Sequence, residues 1–189
     1  MDAYELLLTR ASSGKLREPG PDDATLHAIV HAALRAPDHG LLRPWRIQVV
    51  RGAARAGLGE LLREALALRT PGATSDALDK ERQRPLRAPV VLIVSARVQP
   101  HPKVPAIEQV LSAGALAYGL LLATHAHGFG AMWRTGPSAY DAHVKAALGI
   151  PAQDAVVGFL SLGTPSQPVP AIARPSVHDV LEEWTRPVS

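Results

Sequence analysis

Two short segments of the sequence combine a cation with neighbours that could hold a ligand. Arg10 and Ser12 follow the end of a predicted helix, and a guanidinium fork beside a hydroxyl suits phosphate recognition. Arg35 and His39 flank Pro37, which fixes a helix exit and can direct both side chains at one ligand. Each pattern also has an ordinary interpretation, as an exposed arginine beside a capping serine or as an arginine at the negative end of a helix dipole.

A third segment, Trp133 to Thr135, places an aromatic ring, a cation and a hydroxyl at a strand end before a Gly-Pro break, where binding residues often collect. Trp133 could equally belong to the core. His27 and His31 lie four residues apart on a predicted helix, but the residues between them lack the glutamate of a zinc-protease helix. Two surface histidines are therefore favoured over a metal site.

The most recognisable nucleotide-binding and hydrolase motifs are missing. The Gly-x-Gly at Gly128 and Gly130 follows a helix instead of a strand and lacks the third glycine of a Rossmann fingerprint. Neither a Walker loop nor a Gly-x-Ser-x-Gly elbow occurs. The absence of cysteine excludes disulfides, thiolate metal sites and cysteine nucleophiles.

Composition predicts one globular domain over residues 1–189, because 47% of the residues are hydrophobic and 20% are charged. The formal net charge is only +3, with 20 basic residues scattered among 17 acidic ones, so no basic stripe for nucleic acid emerges. The first residues carry neither a signal peptide nor a lipidation motif, and we expect a cytoplasmic protein.

Periodicity and capping residues predict the elements that position these segments. Aspartates begin two helices, predicted over residues 2–10 and 22–36. Alternation over Trp45–Arg51 predicts a half-buried strand, whereas apolar side chains at both parities in Val90–Val94 predict a strand in the centre of the sheet. Further predictions are strands at 129–133 and 155–162, a helix at 53–68, and a surface helix or mobile lid at 76–84.

Three later helices carry particular expectations. The helix at 105–127 is apolar all round, which predicts burial, and the polar residues at its ends leave too short a stretch to span a membrane comfortably. Ser138 is predicted to cap a helix through Leu148. Ser176 is predicted to cap a last helix with an apolar stripe that needs cover, formed by Val177, Val180, Leu181 and Trp184. The element order indicates a sheet with helices on its faces.

Five segments together resemble the nitroreductase family, in the order and spacing of its short NAD(P)H nitroreductase branch. They are Arg10-Ala11-Ser12, Arg35 to His39, Pro44-Trp45, the helix from Glu108-Gln109 to Gly114, and Gly128 to Arg134. The resemblance runs from Met1 to about Pro165. It implies an α+β fold with a mostly antiparallel central sheet flanked by helices, and an intertwined homodimer with FMN at the subunit interface.

The resemblance also implies which residues meet the cofactors. The phosphate and ribityl end of FMN would contact Arg10, Ser12 and the backbone of Ala11, with Arg35 and His39 contributing across the site. Trp133, Arg134 and Thr135 would line the same site. The reduced nicotinamide would meet the segment Thr124, His125, Ala126, His127, Gly128 and Phe129.

The activity implied is that of an NAD(P)H oxidoreductase. Hydride would pass from NAD(P)H via FMN to a nitroaromatic, a quinone or a similar small electrophile by a ping-pong mechanism. Neither a catalytic side-chain nucleophile nor a metal is needed, because a flavin carries the hydride chemistry itself. Two alternatives are a non-catalytic flavin- or ligand-binding module of the same fold and a metal hydrolase that uses His27, His31 and a further histidine.

The sequence departs from the family pattern at two positions. The usual twin arginine is reduced to Arg10-Ala11, and Arg43 replaces the usual glutamine before Pro-Trp. Arg43 or Lys15 is a candidate to supply the lost positive charge. This hypothesis predicts weaker FMN retention in an Arg43→Ala or a Lys15→Ala variant.

Overall fold

The computed structural model describes residues 2–168 and 172–185, and it begins with two capped helices. Helix α1 spans Ala3–Thr9, where the Asp2 carboxylate accepts a first-turn N–H at 2.8 Å. The two-residue strand β1, Leu16–Arg17, leads to helix α2, Asp23–Ala33, which the Asp22 carboxylate caps in the same way. Each cap satisfies an N–H that has no partner inside its helix, and both predicted helix starts are confirmed.

Four longer strands complete an antiparallel sheet. They are β2, Trp45–Arg51; β3, Val90–Ala96; β4, Gly130–Arg134; and β5, Ala155–Pro165. Strand β5 pairs with β3 along one edge, with β4 along the other, and with β1 at its end. The order β1-β5-β3-β2 puts β2 at an edge and β3 in the interior. The antiparallel α+β architecture implied by the resemblance is confirmed.

Helices cover both faces of this sheet. They include α3, Ala54–Arg69; α4, Ser75–Gln83; α5, Ala106–Ala126; and α6, Ala142–Ala147. Alternate side chains of β3 point to opposite faces, so Leu92 and Val94 pack with α2 and α5, whereas Val91 and Ile93 pack with α3 and α6. The segment predicted as a surface helix or lid is the helix α4.

Helix α5 corrects one expectation, because it is buried on one face and not all round. Ile107, Leu111 and Tyr118 are 62%, 64% and 41% exposed, and we call this row the α5 stripe. Within the described residues α5 is the single helix whose length and apolar composition would suffice to cross a bilayer, a property that long core helices share. The prediction failed because apolar composition does not reveal which face the same chain can cover.

The helix predicted to start at Ser138 also starts elsewhere. Pro137–Ala139 forms a 3₁₀ turn, and Ser138 is buried within it. Asp141 caps α6 instead, accepting the N–H groups of His143 at 2.9 Å and Val144 at 3.2 Å. A carboxylate that reaches two orphan donors outcompetes a serine held in a proline-initiated turn.

In the C-terminal tail, the last predicted helix is only a single turn long. Ser176 does cap it, and Asp179 completes a capping box, but only Val177–Asp179 is helical and the turn is of the 3₁₀ type. The apolar side chains predicted to form its stripe are exposed: Val177, Val180, Leu181 and Trp184. Short helices need tertiary packing to persist, and these side chains are not covered within the described chain.

The Asp141 cap yields a stability prediction. Burial opposes ionisation of Asp141, but hydrogen bonds from Arg69 and from the N–H groups of Val144 and His143 outweigh it and lower its pKa. Its stabilising contribution is therefore present above the unfolded-state pKa, near about pH 4, and is lost as pH falls through the lower folded-state pKa. Asp141→Asn is expected to lower the free energy of unfolding by about 2 kcal/mol at neutral pH.

Urea denaturation at several pH values checks this expectation. The gap between the wild type and Asp141→Asn should narrow as the pH falls below about 4. Asp76→Asn, which changes an exposed aspartate of α4, is the matched control and should show little difference. A gap that stays constant with pH would show that the charge of Asp141 is not what stabilises the fold.

Candidate functional site

The loop after α1 brings the first predicted binding segment against strand β4. The Ser13 N–H donates to the Ala131 carbonyl at 2.9 Å, and Ser13 is buried, so the loop is fixed to the strand. The Arg10 guanidinium lies over the Tyr118 ring, 5.9 Å from its centroid. Its Nε is buried and has no hydrogen-bond partner among the described residues. Arg10 therefore carries an unused donor at the edge of the α5 stripe.

Arg134, at the end of β4, joins this loop and faces two further cations. One of its terminal nitrogens lies 3.6 Å from where a Cβ on Gly14 would stand, so the side chain passes close to the loop. Burial, followed by the positive charges of Arg84 and Arg87, lowers the pKa of Arg134. Within residues 2–168 and 172–185, Arg134 has no acidic partner. A desolvated cation beside like charges is costly unless an anion joins it.

A cleft beneath Arg134 contains a second unused donor. Its polar groups come from Arg84, Arg134, Ser138 and Ser161, and its apolar lining includes side chains from α3, β3 and β5. The Ser138 Oγ is buried without a hydrogen-bond partner in the described chain. Arg84 itself pairs with Glu81 at 2.9 Å. The Arg10 group is our name for the predicted residues of this loop and of the end of β4 together with the two arginines that face Arg134. Its members are Arg10, Ser12, Arg84, Arg87, Arg134 and Thr135.

Sequence reasoning missed Arg84 and Arg87. Arg84 lies directly before the 3₁₀ turn Pro85–Arg87 and Arg87 ends it, with two residues between the turn and the central strand β3. Two arginines beside a proline before a buried strand are a weak local signal, and only the antiparallel pairing of β3 with β5 and of β5 with β4 brings them near Arg134.

Trp133, on the same strand as Arg134, is fixed against the neighbouring strand β5. Its Nε1–H donates to the Val157 carbonyl at 3.0 Å. Gly158 leaves the space that the indole occupies, since a Cβ there would lie 2.2 Å from the Trp133 Nε1. The glycine is thus required for the close approach of the ring to strand β5.

Gly158→Ala is expected to displace Trp133 and lower the free energy of unfolding by about 2 kcal/mol, the usual cost of overpacking. Tryptophan fluorescence should shift at the same time, and urea denaturation gives the energy. Gly57→Ala is the control, because nothing lies within 4 Å of its Cβ position on α3, and it should be stabilising by about 1 kcal/mol. Equal behaviour of the two variants would contradict the packing account.

The second predicted segment forms a separate group around His39. The His39 Nδ1 lies 2.6 Å from the Glu108 Oε2, and the Ser112 hydroxyl donates to the Pro37 carbonyl at 2.6 Å. Arg35 is exposed just after α2. We call Arg35, His39 and Glu108 the His39 group, and an open groove between this turn and α5 lies beside it.

The backbone around His39 is tightly wound. Gly40, Leu41 and Arg43 have φ values of 74°, 54° and 49°, in the left-handed region that disfavours Leu and Arg. The Asp38 carboxylate holds this conformation by accepting the N–H groups of Leu42 at 3.2 Å and Arg43 at 2.7 Å. Strain of this kind persists only where surrounding contacts fix it, and it is frequent at functional sites.

The two groups do not meet within one chain. Glu108 lies in the first turn of α5, whereas Tyr118 beneath Arg10 lies about 15 Å further along the axis. His125, whose Nε2 lies 3.2 Å from the Thr9 hydroxyl, is about 25 Å from Glu108. The α5 stripe runs between the two groups, so each borders one end of the same exposed apolar face.

The segment predicted to meet a nicotinamide lies at the C-terminal end of α5. Thr124 is fully buried and its hydroxyl donates to the Leu120 carbonyl at 2.7 Å, so its side chain is not accessible to a ligand. Ala126, His127 and Gly128 are exposed, and Gly128 has a φ of 80° that ends the helix. Phe129 and His125 are partly buried beside them.

His27 and His31 lie on α2 at a groove towards the edge strand β2. Apolar side chains, including Leu26, Val30 and Ile47, form much of that groove. In the part of the chain that the structure describes, no group of three or more His, Asp or Glu side chains is placed to hold a metal ion. The arrangement therefore gives the metal-hydrolase hypothesis no further support.

Comparison with known proteins gives one consistent result. The Nitroreductase family pattern matches residues 8–164. The chain is 40% identical over 165 residues, 87% of its length and 89% of the relative's, to the Escherichia coli K12 protein named "Putative NAD(P)H nitroreductase YdjA".

Solved structures agree in fold. A nitroreductase-like family protein from Bacillus cereus has a TM-score of 0.84 at 19% identity, covering 96% of this chain and 95% of that one. A variant of NfnB, an FMN and NADPH-dependent nitroreductase from Sphigopyxis sp. strain HMH, has a TM-score of 0.76 at 21% identity, covering 96% and 98%. With 157 of its 189 residues inside the family pattern, the chain belongs to the nitroreductase family.

Proposed function

We propose that this protein is an FMN-dependent NAD(P)H oxidoreductase that reduces nitroaromatics, quinones or similar small electrophiles. The observation that carries the proposal is the Arg10 group, in which Arg10 and Arg134 have no acidic partner in the described chain. Two buried donors there, Arg10 Nε and Ser138 Oγ, have no hydrogen-bond partner among the described residues. A bound anion would neutralise these cations and accept hydrogen bonds from the unused donors, so the site suits an anionic cofactor.

The residues present suit the anionic parts of FMN. Arg10 and Ser12, with the backbone N–H of Ala11, would hold the phosphate, because a guanidinium fork and short hydroxyl and amide donors match phosphate oxygens. Trp133, Arg134 and Thr135 would line the same site. When bound, FMN supplies the hydride chemistry, accepting hydride from NAD(P)H and passing electrons to the acceptor.

The chain's own contribution is orientation and charge. Arg134, with Arg84 and Arg87 behind it, brings positive charge to the site, which favours the anionic form that a flavin adopts on reduction. The close packing of Trp133 on Gly158 and its hydrogen bond to the Val157 carbonyl would fix the orientation of the indole that lines the site. The reaction calls for no side-chain nucleophile and no metal.

We further propose that the site is completed by a second copy of the chain. Arg35 and His39 stand at the other end of α5 from Arg10, so they would reach the same FMN only from a partner subunit. The exposed α5 stripe would be the contact, and the uncovered Val177 to Trp184 side chains would wrap the partner in an intertwined homodimer. Apolar faces of this kind are typical of obligate interfaces.

The nicotinamide and the acceptor would occupy the same place in turn, which gives ping-pong kinetics. The accessible end of α5, from His125 to Phe129, would meet NAD(P)H, with Thr124 contributing no side-chain contact. The name of the Escherichia coli relative supports NAD(P)H as reductant, and NfnB supports FMN. We propose a cytoplasmic location without nucleic-acid or membrane partners.

Steady-state kinetics of the FMN-loaded protein test the proposal. NADPH or NADH consumption should depend on a nitroaromatic or quinone acceptor, and double-reciprocal plots at several acceptor concentrations should be parallel. Intersecting lines would contradict the alternating use of one place.

A non-catalytic flavin-binding module is the second candidate, favoured by the departures at Ala11 and Arg43. Of the two candidates to replace the missing positive charge, Lys15 lies in the loop of the Arg10 group and donates to the Gln167 side chain at 3.1 Å. The other, Arg43, lies in the turn of the His39 group. Bound FMN without any NAD(P)H oxidation would identify such a module.

A further inference from the structure

Glu108 has no assigned role, yet it makes a short contact with a residue of the proposed cofactor site. Its Oε2 lies 2.6 Å from the His39 Nδ1. Both side chains are about half exposed, so core packing does not force them together and neither is fully solvated. An ionised carboxylate can only accept hydrogen bonds, so a contact of this length requires the proton to reside on Nδ1.

Helix α5 holds the His39 turn at two points that share one face. Ser112 follows Glu108 by one helical turn, so the two side chains are neighbours on the helix surface. Ser112 fixes the backbone before His39 through the Pro37 carbonyl, at 2.6 Å. Gly40, just after His39, packs on Val104, two residues before α5, since a Cβ on Gly40 would lie 3.2 Å from the Val104 side chain.

The first turn of α5 is fixed to the preceding loop, so the backbone that carries Glu108 is held in place beside the His39 imidazole. Gln109 is buried and bonds three times to the preceding loop, accepting from the Gln99 N–H at 2.9 Å and donating to the carbonyls of Gln99 and Val104 at 2.8 and 3.2 Å. A carboxylate on such a support can orient a histidine ring, as in other sites where a second residue selects the protonated ring nitrogen.

We infer that Glu108 is a positioning residue that fixes His39 in its Nδ1-protonated form and presents only Nε2 to a ligand. Neutral His39 then offers Nε2 as an acceptor, which suits a ligand hydroxyl or N–H donor such as those of a ribityl chain and a flavin ring. If the His39 ring were flipped or protonated on Nε2 instead, it would present an N–H to the donor group of the ligand, and the hydrogen bond between them would be lost. The ligand part of this inference rests on the proposed function, whereas the tautomer does not.

Nitrogen-15 NMR of the histidine side chains in FMN-free protein tests the tautomer directly. At about pH 9, above the ordinary range of histidine pKa values, His39 should be Nδ1-protonated in the wild type, with its signal assigned by its loss in His39→Gln. In Glu108→Gln, whose amide can donate as well as accept, a mixture of ring forms should appear. An Nε2-protonated His39 in the wild type, or an unchanged ring in Glu108→Gln, would overturn the inference.

FMN affinity measured in a double-mutant cycle tests the consequence. Glu108→Gln should weaken FMN binding by about tenfold, the usual effect of losing a well-oriented hydrogen bond, and should add nothing in a His39→Ala background. An equal loss in that background would show that Glu108 acts by another route. The matched control is Glu64→Gln, which alters a comparably exposed glutamate 3.8 Å from the His143 Nε2, away from both groups.

The two readouts separate the possible failures. A wild type that binds no FMN would contradict the proposed function, while the NMR of the same FMN-free protein would still decide the role of Glu108. A fixed tautomer with no effect on FMN affinity would contradict the ligand part of the inference.

Discussion

Replacing Arg134 by methionine is expected to abolish FMN retention while raising the stability of the FMN-free protein. Arg134 is a partly buried cation beside Arg84 and Arg87, without an acidic partner in the described chain. Without an anion its charge is unfavourable, and methionine keeps the apolar length of the side chain. We expect FMN affinity to fall by about 100-fold, since hydrogen bonds to charged groups are the strong ones, and stability to rise by about 1 kcal/mol.

Fluorescence titration with FMN and urea denaturation of the FMN-free protein measure the two effects. Arg63→Met is the matched control, because Arg63 has an acidic partner, Glu60, at 2.7 Å, and its loss should be neutral or slightly destabilising and leave FMN binding unchanged. A destabilised Arg134→Met variant that still retains FMN would contradict the assignment of this cluster as an anion site.

Leu111→Glu is expected to give a folded monomer that has lost FMN. Leu111 lies in the middle of the exposed α5 stripe, and a carboxylate there would be buried against its counterpart in a second copy. The two halves of the proposed site stand at opposite ends of α5, so dissociation should separate them and reduce FMN affinity by about 100-fold or more. Light scattering should give the 20.1 kDa mass of one chain.

Leu68→Glu is the control for this variant. Leu68 is 65% exposed, almost the same as Leu111, but it lies on α3 away from the stripe. The control should remain dimeric and keep its FMN. A Leu111→Glu monomer that binds FMN as tightly as the wild type would show that one chain holds the complete site.

Subunit complementation gives a positive version of the same test. Arg134→Met and His39→Ala each damage a different half of the proposed site. When both are co-expressed, the mixed dimer should contain one site with both defects and one intact site. Recovery of FMN binding in the mixture, and not in either variant alone, is the expected result.

Most of the secondary structure could be predicted from local pattern because its cause is local. The strand Trp45–Arg51 alternates apolar and polar residues as a half-covered strand must, and its bounds match the structure. Asp2 and Asp22 each lie directly before a helix whose first N–H groups need an acceptor. Ser138 misled because Asp141, three residues later, reaches two such groups and Ser138 none.

The remaining features depend on contacts that a single sequence does not encode locally. Arg84 and Arg87 join the Arg10 group only through the pairing of three strands. The burial of α5 was overestimated because its apolar composition reflects both the core and the exposed stripe. The tail stripe has the composition of a packed helix but forms only one 3₁₀ turn, because no described residue covers its apolar side chains.

Visible absorption spectra of the FMN-loaded protein under anaerobic conditions show whether NAD(P)H reduces a flavin bound at this site. Addition of NADPH, or of NADH to a second sample, should bleach the flavin absorbance, and a nitroaromatic or quinone should restore it. A protein that cannot be loaded with FMN, or a bound flavin that stays oxidised with both nucleotides, would show that this protein is not an FMN-dependent NAD(P)H oxidoreductase.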